Sequence, residues 1–71
     1  MRCSFEQKNA GFEIRADGFV ITVGRDDFGN VFVHYSGMVP NRLKRIIEKH
    51  KHLFVTPELG KMLICNEISH L

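Results

Sequence analysis

The residues of this chain that could do chemistry are four histidines (His34, His50, His52, His70), two cysteines (Cys3, Cys65) and a scatter of carboxylates. A metal centre needs converging ligands. His50 and His52 are two residues apart, which on a helix directs them to nearly opposite sides, and Cys65 and His70, five apart, are poorly aligned for one ion. A lone His34 on a strand face reads as a hydrogen-bonded, partly buried residue before it reads as a ligand. Asp26 and Asp27 are adjacent in a turn and diverge, and Glu6 and Glu13 have no evident partner for paired acid–base work. No serine or cysteine sits in a nucleophile elbow. The run Gly24-Arg25-Asp26-Asp27-Phe28-Gly29 has the glycine spacing of a phosphate-binding loop. Asn30 and Val31 follow, however, where Lys and Ser/Thr are needed, then a strand where a helix is needed, and two aspartates would repel phosphate. The expectation is a non-catalytic protein with no metal, no cofactor and no small-molecule substrate.

The cations are better organised. At helical spacing Arg42, Arg45 and Lys49 fall on one flank, Lys44 and Lys51 on another, with Glu48 between them. Such a stripe could follow a phosphate backbone, although most charged stripes are simply solvated faces and no aromatic base-stacking platform is interleaved with this one. A net charge of +2 with pI near 8.7 permits a nucleic-acid partner without declaring one. The first eight residues lack an apolar signal-peptide core, and no apolar run reaches membrane-spanning length, so the chain reads as cytoplasmic, with no membrane partner. On that ground Cys3 and Cys65 are expected to be free thiols. A bridge between them would close a loop of about 60 residues, but a reducing compartment disfavours it.

The elements that must position these residues follow from turn chemistry and periodicity. Seventy-one residues make one small domain, spanning 1–71. Arg15-Ala16-Asp17-Gly18 and Asp26-Asp27-Phe28-Gly29 each place turn-competent residues before a glycine between β-rich runs, the pattern of a three-residue hairpin loop. Three antiparallel strands are predicted, at about Gly11–Arg15, Phe19–Gly24 and Val31–Ser36. Two such turns set Arg15 opposite Phe19, Ile14 opposite Val20, Asp26 opposite Asn30 and Thr22 opposite His34. Pro40 at a first-turn position and the stripe Leu43, Ile46, Ile47, His50 predict a helix over roughly 40–52. Residues 53–71 read either as a second helix starting at Thr56-Pro57-Glu58 and running towards Ser69, or as a hairpin around Pro57–Gly60. The agreement of the cap signals favours the helix, and Gly60 argues against it. The fold class is α+β: a three-stranded antiparallel β-meander followed by one or two α-helices packed on one sheet face.

In that register both sheet faces are apolar. One carries Phe19, Ile21, Val23, Val31, Val33 and Tyr35 and is expected to pack on Leu43, Ile46, Ile47 and C-terminal residues such as Leu63. The other carries Phe12, Ile14, Val20 and Phe32, with His34 among them. Contiguous exposed apolar surface on a small protein usually marks an interface. The expected function is therefore a protein-binding module of inhibitor or adaptor type, whose Phe12, Ile14, Val20, Phe32 and His34 meet a partner or a second copy in a homodimer. The alternative is nucleic-acid binding through Arg42, Arg45 and Lys49.

Overall fold

The computed structural model describes residues 3–70, the side chain of Val55 excepted. Strands β1 (Cys3–Lys8), β2 (Gly11–Ala16), β3 (Phe19–Arg25) and β4 (Val31–Gly37) precede helix α1 (Asn41–His50), a 3₁₀ turn η1 (Lys51–Val55) and helix α2 (Pro57–Ser69). The strands form one antiparallel sheet in chain order, so the protein is α+β with one strand more than expected. β1 is weakly written in the sequence: Cys-Ser-Phe-Glu-Gln-Lys buries little beyond Cys3 and Phe5, and its turn, Asn9-Ala10, contains no glycine.

The two glycine turns differ. Asp26 and Asn30 do flank a three-residue loop: Asp26 N donates to Asn30 O at 3.0 Å, Gly29 N to Asp26 O at 3.1 Å, and Gly29 takes φ 83°. The Asp26 carboxylate fixes that turn by accepting from Phe28 N and Asn30 N, each at 2.9 Å. Thr22 accordingly lies opposite His34. The earlier hairpin has only Asp17-Gly18 between paired residues. Ala16, not Arg15, faces Phe19, and Ile14 faces Ile21, not Val20. A single left-handed residue, Gly18 at φ 87°, completes it.

That one-residue difference turns β2 over. Phe12 and Ile14 point to the same side as Phe19, Ile21 and Val23, and both are 0% exposed. The second apolar face expected from the sequence is therefore not formed. The opposite side of the sheet carries Ser4, Glu6, Glu13, Arg15, Thr22, His34 and Ser36, with only Val20 and Phe32 apolar. Placing Phe12 and Ile14 inward removes two large side chains from water, each worth roughly 1.5–3 kcal/mol, which is enough to decide between two otherwise similar turns.

The buried side chains of the inward face join those of the helices in one cluster with Leu43, Ile47, Phe54, Ile64 and Ile68. α1 is held by Leu43 and Ile47, fully buried, with Ile46 and His50 half-buried on the same stripe. It ends two residues earlier than the sequence suggests. η1 then brings Phe54 edge-on to Phe12, with ring centres 6.2 Å apart. The Thr56-Pro57-Glu58 start is realised in α2, and the hairpin alternative is not. Gly60, the residue that argued against a helix, is buried where its missing side chain makes room for the Phe12 ring; a Cβ there would collide with it.

Cys3 and Cys65 are joined by a disulfide, which corrects the expectation of free thiols. The reason lies in β1. Pairing with β2 sets Cys3 beside Ala16 on the helix-covered side, and α2 packs on β1 and β2, leaving the two Cα atoms 6.2 Å apart, within bridging range. Cysteine usage thus no longer argues for a reducing compartment. Among the described residues, no helix is long and apolar enough to cross a membrane.

With a sequence separation of 62 residues, the bridge restricts the unfolded chain by roughly 4 kcal/mol. Reduction, or the pair Cys3→Ser/Cys65→Ser, should lower the melting midpoint by about 20–30 °C for a domain of this size. Calorimetry with and without dithiothreitol measures this, and equal midpoints would mean the bridge is absent or without effect.

Candidate nucleic-acid interface

The residues singled out as a protein interface are not brought together. Phe12 and Ile14 lie in the core beneath the helices, while Val20, Phe32 and His34 lie on the opposite, open face. Val20 pairs with Ser36, four residues from Phe32 along β4, so about 13 Å separates them. Phe32 is 48% exposed and lies over Gly24, where any Cβ would press on its ring. His34 is exposed beside it. What remains on that face is one aromatic residue among polar ones.

The basic residues are brought together. α1 begins where β4 ends, after Gly37 and Pro40, with Lys44 N donating to Pro40 O at 3.1 Å. Since Leu43 and Ile47 fix which side faces the core, the helical repeat places Arg42, Arg45 and Lys49 within an arc of about 60° on one flank. All three are exposed, and none forms an ion pair among the described residues. They extend about 10 Å along the helix axis.

The other flank of α1 is occupied by its own contacts. Glu48 accepts from the Tyr35 hydroxyl at 3.3 Å and pairs with Lys51 at 3.7 Å, while the Lys44 ammonium lies 5.5 Å from the centre of the Tyr35 ring. Tyr35, read from sequence only as a core strand residue, thus also ties α1 to the edge of the sheet. No sequence signal marks a contact thirteen residues apart.

Charge is also segregated along the chain. Residues 41–52 contain five Lys/Arg and one Glu, a net +4; since the whole chain is +2, the remaining residues sum to −2. The positive potential is therefore a property of α1 and its C-terminal extension, not of the body. Among the described residues, no group of three or more His, Cys, Asp or Glu side chains is placed to hold a metal ion. The chain matches no family model, no curated protein and no solved structure.

Burial, then the charge and hydrogen bond of Glu48, push the Tyr35 hydroxyl up to about 12 from 10.0. Tyr35 is the sole tyrosine and there is no tryptophan, so ultraviolet titration reads it directly. A raised pKa favours the protonated form in the folded state. The contact's contribution to stability should be complete below pH 10 and lost as pH rises from 10 towards 12. Glu48→Gln should move the midpoint down part of the way, and a midpoint of 10 in the native protein would mean that Tyr35 neither is buried nor meets Glu48.

Proposed function

We propose that the protein is a small non-catalytic binding module that holds nucleic acid by its phosphates along Arg42, Arg45 and Lys49. The observation that carries this reading is the segregation of charge: +4 on a twelve-residue segment of a +2 chain, with three of those cations exposed, aligned and outside any ion pair among the described residues. Duplex DNA presents about one negative charge per 1.7 Å of axis, so the stripe spans enough phosphates to engage all three side chains. No Phe, Tyr or Trp occurs within α1 to stack an unpaired base. Contact with phosphate alone carries no sequence information, and a duplex, whose bases are already stacked, is the natural partner.

Three phosphate contacts fix the expected salt dependence. The logarithm of affinity for a mixed-sequence duplex should fall with the logarithm of salt at a slope of about −2.7, so that a fourfold rise in salt weakens binding about 40-fold. Fluorescence anisotropy measures this. The triple change Arg42→Glu/Arg45→Glu/Lys49→Glu should abolish binding at low salt while leaving the thermal melt nearly unchanged, because the three side chains are exposed. Absence of wild-type binding at low salt removes the reading.

A second reading rests on the half-exposed Phe32 with His34 on the open sheet face. A second copy joining at β4, the last strand of the sheet, would cover this ring and continue the sheet. Phe32→Asp should then convert a dimer into a folded monomer in sedimentation experiments. A wild type that stays monomeric at high concentration excludes this version.

A further inference from the structure

α2 is apolar on two sides. Gly60, Ile64 and Ile68 are buried towards the sheet, and about 140–160° round the helix from them stand Leu59 and Met62, 50% and 68% exposed. The outer side of a surface helix is ordinarily polar, and a helix apolar all round is ordinarily enclosed by protein or lipid. α1 offers the complement. Its buried Leu43 and Ile47 join the same core cluster, and Arg42, Arg45 and Lys49 are centred about 160° round from them. Since both helices cover one side of the sheet and pack on each other, the two stripes face the same way on one outer surface of the molecule. We infer that this surface attaches the protein to an anionic lipid bilayer, the three cations meeting headgroup phosphates while Leu59 and Met62 enter the boundary of the acyl chains.

The occupant follows from charge and from side-chain type. In the helical repeat the carboxylate closest to these stripes is Glu58, in the first turn of α2, since Glu48 is turned to Tyr35 and Lys51 and Glu67 is half-buried. Three cations against Glu58 leave a net +2, complementary to an anionic leaflet. A duplex uses the cations but has no apolar counterpart for Leu59 and Met62. A protein partner is ordinarily held by aromatic anchors seated in pockets. These stripes present Leu, Met, Arg and Lys instead, long flexible side chains that suit a fluid surface demanding no fixed geometry. Attachment of this kind needs no spanning helix, so the lack of a long apolar run, on which the sequence expectation of no membrane partner rested, does not bear on it. Each basic residue near an anionic leaflet strengthens binding about fivefold, so three give about 100-fold over a neutral bilayer, and the two apolar side chains add about tenfold or more.

This inference rests on the reading of Arg42, Arg45 and Lys49 as a phosphate-binding flank and extends it to α2, so vesicles and duplex are titrated side by side. Cosedimentation of the intact protein with vesicles of phosphatidylcholine alone, and with about one-third phosphatidylserine, measures the first arm. Binding should require the anionic lipid and weaken as salt rises. Leu59→Gln/Met62→Gln, both exposed positions, should weaken vesicle binding at least about tenfold while leaving duplex affinity and the thermal melt unchanged. Arg42→Glu/Arg45→Glu/Lys49→Glu should remove binding to both. Spin-labelled lipid in anionic bicelles should attenuate the amides of residues 42–49 and 59–62 more than those of the sheet. Vesicle binding without duplex binding upholds this inference and removes the duplex reading; duplex binding with no vesicle binding at low salt does the reverse. Vesicle binding indifferent to Leu59→Gln/Met62→Gln would reduce the contact to charge alone, and a dimer dissolved by that double change would make a second copy the occupant of α2. Either result overturns the inference.

Discussion

The ring of Phe12 is where this fold is decided. It has no solvent exposure and meets Phe5 of β1 at 5.7 Å between ring centres, Phe54 of η1 at 6.2 Å, and the bare backbone of Gly60 in α2. Three elements thus converge on one side chain of β2, and β2, η1 and α2 each carry a concession to it. β2 must take the register that points Phe12 inward. η1 must end α1 early enough to drop Phe54 onto the ring, and α2 must accept a glycine in its interior, which alone disfavours a helix by about 1 kcal/mol relative to alanine. The same register sends Ile14 inward, and β1, laid along β2, delivers Phe5 and Cys3 to the covered side.

This convergence explains what the sequence showed and what it hid. The β3–β4 hairpin was legible because its turn is specified locally: Asp26 caps the loop with its own carboxylate and Gly29 supplies the one left-handed residue. The β2–β3 turn has a similar local signature, an aspartate before a glycine, yet closes with one residue fewer. Nothing in Arg15-Ala16-Asp17-Gly18 states that difference. It is set by burial of Phe12 and Ile14, a tertiary effect, and a one-residue error there exchanges core for surface along the whole strand. α2 was legible from Thr56, Pro57 and Glu58, while the reason for Gly60 was not, because the ring it accommodates lies 48 positions earlier in the chain.

The candidate sites divide along the same line. The basic flank of α1 could be read from spacing alone, since Leu43 and Ile47 set the helix orientation and Arg42, Arg45 and Lys49 follow from the helical repeat. The apolar interface could not survive, because it depended on the register of β2. The disulfide requires β1, in which only Cys3 and Phe5 are partly buried, too few positions to leave a pattern. A strand with two inward residues is nearly invisible to any argument from hydrophobic periodicity.

A chain of this size has little core to spare, and that limits where function can reside. The inward sheet face and both helices are needed to bury one cluster, and the Cys3–Cys65 bridge adds the constraint on the unfolded chain that a lean core cannot supply. What this fold presents on its exterior is charge placed on a helix whose opposite side is fixed by the core. The basic flank of α1 is of that kind: a rigid helix positions three long, exposed cations. For recognition of phosphate this is sufficient, because a charge needs only to be held at the right distance, not sealed from water.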